Sequence, residues 1–186
     1  MDIDDTEDDL TTRTGFRFHV RRARPRDEAV IAEFFTHVTP EDLRFRFMSG
    51  MKTVSHDRLV EMTRVNDPGV VNFLAFSPSD TLLAVAMLAS GEDKKRGEVA
   101  LSIREDSKHK GISWEILAHI CRYAKRHGFD SVESLESRAN HATIELERDM
   151  AFRVADFTDD PTMVVLRRDL KAPSLPDSAE IARAHN

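Results

Sequence analysis

Apolar positions along this chain follow two rhythms, a spacing of two that marks strands and a spacing of three to four that marks helices. Phe16, Phe18 and Val20 alternate with Arg17, His19 and Arg21, which predicts a first strand. Val30, Ile31, Phe34, Phe35 and Val38 then fall at helical spacing after Pro25, with Asp27 and Glu28 suited to a first turn. A second short helix follows Thr39-Pro40-Glu41-Asp42 and carries Leu43, Phe45 and Phe47. Ser49-Gly50 breaks the chain, and a third helix opening at Ser55 shows Leu59, Val60, Met62 and Val65. Asn66-Asp67-Pro68-Gly69 is a turn, and residues 70–77 and 81–89 form a hairpin through Pro78-Ser79-Asp80.

A charged loop at 91–96 leads into a central strand, with Val99, Leu101 and Ile103 two apart. A helix follows, with Trp114, Leu117, Cys121 and Ala124 on one face and Ile116 and Ile120 beside them. Lys125, Arg126 and His127 fill its last turn, and Gly128 stops it. Residues 131–137 read as a weak strand, with Val132 and Leu135 apolar. Asn140 opens a further helix carrying Ile144, Leu146 and Met150, and strands at 152–157 and 163–170 flank Asp159-Asp160-Pro161. The sum is an α/β (α+β) fold, a mostly antiparallel mixed sheet of about seven strands flanked by helices, with no internal repeat.

The 186 residues, 40% hydrophobic and 32% charged, fit one ordinary soluble domain at 16–171. Residues 1–15 hold Asp2, Asp4, Asp5, Glu7, Asp8 and Asp9 with little that is apolar, so a disordered acidic tail is expected. A C-terminal tail at 172–186 contains Pro173 and Pro176. The net charge of −6 argues against a nucleic-acid partner. No apolar run approaches a membrane span and no signal segment is visible, so the expected location is cytoplasmic. The single cysteine, Cys121, reads as a small core side chain.

The chemistry concentrates between Glu98 and Gly128. A helix start leaves backbone N–H groups unpaired, and the loop feeding it can aim them at a phosphate. Lys108, His109 and Lys110 add positive charge, and Gly111 lets a ligand approach the backbone. A solvated basic loop ahead of an amphipathic helix accounts for the same residues. No paired-cysteine or His-Glu-x-x-His spacing is present, so no metal is expected. Gly-x-Ser-x-Gly, Gly-x-x-x-x-Gly-Lys and Gly-x-Gly-x-x-Gly are absent too, which sets aside a nucleophile elbow, nucleotide hydrolysis and dinucleotide binding.

This order of elements and these residues resemble the GNAT superfamily of acyl-CoA-dependent N-acetyltransferases, over about 16–170. The superfamily signature is Arg or Gln, two residues, Gly, one residue, then Gly or Ala, running into a helix. It falls here on Lys108, Gly111 and Ser113, with only Gly111 a strict match. Trp114, directly after, is bulkier than that pattern leads one to expect. Four stretches are similar to the bacterial Pat-type protein lysine acetyltransferases. They are Ala23-Arg24-Pro25-Arg26-Asp27-Glu28 with Phe34-Phe35, Leu43-Arg44-Phe45-Arg46-Phe47 running to Ser55-His56, Gly97-Glu98-Val99-Ala100, and Asp159-Asp160-Pro161-Thr162-Met163-Val164-Val165.

The resemblance implies acetyl-CoA as co-substrate. The backbone of Leu101, Ser102 and Ile103 would hold the thioester arm. Lys108, His109, Lys110, Gly111, Ile112 and Ser113 would bind the pyrophosphate, and Asn140 the pantetheine arm, although Asn140 also suits a helix cap. Glu98 matches the general base of the Pat-type enzymes. The alternative for Glu98 is a surface glutamate paired with Lys94, Lys95 or Arg96. Many members place an acidic Tyr in the later helix, but residues 140–152 contain none. Tyr123 reads as structural, and His141 as an exposed first-turn residue or, alternatively, a substitute for the missing tyrosine. The expectation is acetyl transfer from acetyl-CoA to an amine, a protein lysine or a small-molecule amine, by direct attack. A non-catalytic acyl-CoA-binding regulatory module is the rival, and a homodimer is left open.

Overall fold

The computed structural model describes residues 7–49, 53–65 and 67–171. Expectations for Gly50, Asn66, most of the acidic arm and the tail at 172–186 fall outside the described residues. The strands are β1 (Asp8–Thr11), β2 (Arg17–Arg22), β3 (Val70–Phe76), β4 (Leu82–Ser90), β5 (Arg96–Ile103), β6 (Ser131–Ser137), β7 (Arg153–Asp156) and β8 (Met163–Asp169). The helices are α1 (Glu28–Phe35), α2 (Pro40–Phe47), α3 (His56–Met62), α4 (Ile112–Arg126) and α5 (His141–Asp149). Eight strands hydrogen-bond in the order β1-β2-β3-β4-β5-β6-β8-β7, mostly antiparallel, with β5 and β6 parallel. The expected fold class holds, with one strand more than the sequence pattern predicts.

The extra strand is β1. The sequence reading leaves residues 1–15 unstructured, yet Asp8–Thr11 pairs antiparallel with β2, from Asp8↔Val20 to Thr11↔Arg17. Across this ladder Asp9 stands opposite His19 and Leu10 opposite Phe18, cross-strand pairs that add to the backbone pairing. Its turn is tied by Gly15 N donating to Thr12 O at 2.9 Å and Phe16 N donating to the Thr12 hydroxyl at 3.1 Å.

Two compact units divide the chain, one running to Met87 and taking in Leu101–Ile116, the other comprising Leu88–Ala100 and the chain from Leu117 on. In the first unit Ile31, Phe34 and Phe35 of α1 pack with Val38, Leu43, Leu59 and Met62 against Leu74, Phe76, Leu82 and Val85. Burying such side chains contributes about 1.5–3 kcal/mol each relative to exposure. The turn before α1 is fixed by Asp27, which accepts two bonds from the Arg21 guanidinium, at 2.7 and 2.9 Å, and one from Arg24 N at 2.7 Å. Burial works to raise the Asp27 pKa, but the bonds from Arg21 and Arg24 and their charges hold it below the usual carboxylate range. In the second unit β6 and β8 form a seven-rung antiparallel ladder, from Ser131↔Asp169 to Ser137↔Met163, and β7 closes the edge against β8.

Gly97 opens β5 where no side chain fits. A Cβ there would stand 2.6 Å from Leu88 Cδ1 and 3.2 Å from the Phe129 ring. Gly97→Ala is expected to destabilise the chain by about 1–3 kcal/mol, read by urea denaturation. An unchanged midpoint would show that Leu88 and Phe129 yield freely.

Candidate active site

The segment joining β5 to α4 is pinned at its start. Arg104 N donates to Leu83 O at 2.9 Å and Glu105 N to His37 O at 2.9 Å. The Arg104 guanidinium reaches Glu33 of α1 at 3.2 Å and Asp106 at 3.1 Å. The chain then enters α4 through two residues of positive φ, His109 at 62° and Gly111 at 81°. A Cβ on Gly111 would lie 3.2 Å from Thr12 Cβ, so position 111 is confined by both conformation and space. Among the described residues no acceptor meets the amides of Gly111, Ile112, Ser113 or Trp114. The first helical turn therefore keeps its donors for an outside acceptor.

The basic side chains of this loop divide. Lys108 is paired with Asp42 of α2, so it serves as a tie between loop and helix, which the sequence pattern did not reveal. Asp42 belongs to the α2 start, where Thr39 accepts its backbone N–H at 3.1 Å. Lys110 carries no ion pair among the described residues, and its ammonium lies 5.5 Å from the Phe16 ring centroid. His109 is exposed, Ser113 half-buried and Ile112 buried in the core, so Ile112 can offer only its backbone. The Trp114 indole faces the β1–β2 turn, with the Arg13 guanidinium 4.4 Å from its centroid.

The central strand breaks its own rhythm. Gly97 and Val99 face inward two apart, but the next buried position is Ser102, three further on. Such a slip in period is what a bulge produces. Leu101 and Ile103 are half-buried, whereas Ser102 is 4% exposed and its hydroxyl has no partner among the described residues. A buried unpaired hydroxyl costs on the order of 1–3 kcal/mol. A polar arm laid along the strand would relieve that cost, so this stretch suits an amide-bearing cofactor.

Glu98 stands at the last rung of a short ladder. The parallel pairing of β5 and β6 runs Arg96↔Ser131, Gly97↔Val132 and Glu98↔Glu133, and no further. β6 continues to Ser137 on its other edge with β8. Among the described residues no rung joins Val99 or Ala100 to β6, so the strand edges just past Glu98 are open to another partner. Glu98 is exposed and has no ion-pair partner among the described residues. Arg96 is bonded to Asp93 at 3.0 Å and the Lys95 ammonium reaches Gly128 O at 3.5 Å, so the surface ion pair considered for Glu98 does not form. Beside it, Glu133 takes two bonds from Arg167, at 2.9 and 2.6 Å.

Asn140 occupies the cap position of α5 but makes no cap bond. Its side-chain nitrogen instead donates to Glu136 Oε2 at 2.8 Å. The capping role is therefore not its role, and Glu136 fixes its amide. His141 is exposed, and Tyr123 is 7% exposed with its ring stacked on His127 at 3.8 Å. Burial pushes the Cys121 thiol up to about 11, with Arg168 offsetting only part, so this thiol is inert.

One group escapes sequence reasoning. Glu147 of α5 is 4% exposed, and Ser134 of β6 donates to its Oε2 at 2.5 Å. Burial pushes its carboxyl up to about 8, the Ser134 bond opposing and Glu136 adding to the rise. Between its ordinary value of 4.5 and about 8, the folded chain holds a proton that the unfolded chain has released. Stability from this group is therefore full below 4.5 and declines as pH rises, by about 1.4 kcal/mol per pH unit. Urea denaturation from pH 5 to 8.5 is expected to show a shallower decline in Glu147→Gln than in the parent chain. Parallel declines would contradict the buried-acid assignment.

Comparison with known proteins gives the site its context. The model of the Acetyltransferase (GNAT) family matches residues 33–152. A Pseudomonas aeruginosa protein named Acetyltransferase PA5475 is 25% identical over 151 residues, covering 80% of this chain and 81% of that one. The crystal structure of the GNAT domain of S. lividans PAT has a TM-score of 0.81 at 20% identity, covering 88% of this chain and 96% of that chain. Spermidine N-acetyltransferase from Vibrio cholerae, solved with CoA and spermine, has a TM-score of 0.65 at 14% identity, covering 81% and 92%. With the family model spanning well over half its length, this chain belongs to the GNAT acetyltransferase family, acyltransferases that use acetyl-CoA as co-substrate.

Proposed function

We propose that this enzyme acetylates the side-chain amine of a protein lysine, with Glu98 as general base. The position of Glu98 carries the reading: a carboxylate without an ion pair on the last β5–β6 rung, open to solvent. A base on an exposed strand face suits an acceptor presented by another macromolecule. A small amine enclosed in a deep pocket would call for a buried base. The likeness to the S. lividans PAT domain supports the same reading. An acetyl-CoA donor fits a cytoplasmic enzyme.

The division of labour follows from the chemistry. A lysine ammonium, with a pKa of about 10.4, is almost fully protonated at neutral pH, and only the free amine attacks a thioester. Glu98 accepts that proton, directly or through one water. The amine nitrogen then attacks the thioester carbonyl, with no covalent acyl-enzyme. Backbone N–H groups of β5 past Glu98 stabilise the oxyanion. The amides of Gly111, Ile112, Ser113 and Trp114 receive the diphosphate, with Lys110, which has no ion pair among the described residues, preceding them in the loop. Leu101, Ser102 and Ile103 line the thioester arm, and Asn140, oriented by Glu136, meets the pantetheine.

The test pairs binding with turnover. CoA is expected to raise the Tm, because a ligand that prefers the native state stabilises it. Glu98→Gln is expected to lower kcat on lysine-bearing protein by about 10²–10⁴-fold while leaving the CoA-induced Tm shift intact. Equal activity in Glu98→Gln would remove Glu98 as the base. Turnover confined to polyamines would replace the lysine acceptor with a small one. CoA binding without turnover on any amine would leave a regulatory module.

A further inference from the structure

The acetyl-transfer reading supplies a base but no acid for the leaving group. A CoA thiol has a pKa near the free-cysteine value of about 8.5, so its thiolate departs more readily if protonated. We propose that the Glu147 carboxylic acid protonates the departing CoA thiolate at the opening between β5 and β6. This rests on the acetyl-transfer reading and extends it by one residue.

The β5–β6 ladder ends at Glu98↔Glu133, and Ser134 is the next β6 residue beyond that rung. Glu147 is bonded to Ser134, so α5 delivers its carboxyl to the point where the two strands cease to pair. Oε2 takes the serine bond, and Oε1 has no partner among the described residues. One oxygen is thus oriented while the other is left without a protein partner among the described residues. Glu98 and Glu147 belong to the same compact unit, the base on β5 and the acid on α5.

Ser134 and Glu136 of β6 act on Glu147, and Glu147 in turn acts on Cys121 of α4, which also feels Arg168 of β8 and Arg122; on α5 itself, Arg148 is exposed. No cation enters among the causes acting on Glu147, while its own burial and Glu136 both favour the neutral acid. With its carboxyl pushed up to about 8, the group is protonated at pH 7 and close to a thiol in acidity. Matched acidities favour transfer in the transition state. A mere strut between α5 and β6 would be served by glutamine without the cost of burying an ionisable group.

The step balances. The amine N–H bond breaks and its proton passes to Glu98 as the new N–C bond forms. The C–S bond breaks with its electron pair on sulfur. The Glu147 O–H bond breaks and an S–H bond forms. Exchange with water then returns a proton to Glu147 and removes one from Glu98, so no oxidant or reductant is needed.

The experiment is a pH–rate profile with acetyl-CoA and the amine acceptor that gives turnover, read by thiol release. In the parent enzyme kcat is expected to fall above about pH 8, as Glu147 ionises. Glu147→Gln is expected to lose that limb and at least about tenfold in kcat at pH 7, with the KM for acetyl-CoA little changed. Ser134→Ala removes a bond that lowers the Glu147 pKa, so its limb is expected to move to higher pH. That variant decides the matter if Glu147→Gln does not fold. Glu98→Gln should keep the alkaline limb. An alkaline limb preserved in Glu147→Gln, or one that stays in place in Ser134→Ala, overturns the proposal and leaves the base untouched. A parent chain that binds CoA but acetylates no amine defeats the acetyl-transfer reading and this proposal with it.

Discussion

Three rungs of parallel pairing and then none: the β5–β6 ladder, ending at Glu98↔Glu133, is the constraint on which the rest of the site depends. A strand that loses its neighbour keeps its backbone donors and acceptors, and inside a protein such groups must be met by something. β6 is secured independently by its seven rungs with β8, so the opening does not cost it its place in the sheet. The same opening sets Glu98 at its rim and Ser134 just beyond. In the proposed mechanism, position along one ladder decides which residues take part in the chemistry.

Charge placement follows a related logic. Several of the chain's cations are already committed: Arg21 to Asp27, Arg104 to Glu33 and Asp106, Arg167 to Glu133, and Lys108 to Asp42. These pairs position the start of α1, the end of β5, the face of β6 and the loop before α4. Glu98 and Lys110 stand apart, each without an ion pair among the described residues. A carboxylate free to take a proton and an ammonium free to meet a phosphate are what acetyl transfer from a CoA ester requires. Buried Glu147 is a third kind of group, a carboxyl kept neutral by its surroundings.

Much of this was legible in the residues because apolar spacing reports burial directly. The α4 register, the hairpin through Ser79 and the seven expected strands all followed from it. The strand β1 was hidden because it is held by backbone pairing with β2, with Leu10 its only large apolar residue. The turn Thr12-Arg13-Thr14-Gly15 was the available signal. The pairing of Lys108 was hidden for a similar reason: its partner Asp42 lies 66 residues away, beyond any local pattern. Asn140 looked like a cap because caps are local, but Glu136 on the preceding strand claims its amide. Glu147 read as one of several charged residues on an amphipathic helix, and only the packing of α5 on β6 marks it out.

The account's central claim is that main chain, more than side chain, holds the cofactor: the open edge of β5 past Glu98 and the first turn of α4. Amide hydrogen exchange with and without CoA measures this directly. The account predicts slowed exchange on CoA binding at residues 99–103 and at 111–114, with little change at β1 to β3. CoA binding that leaves both of those segments unprotected would contradict it.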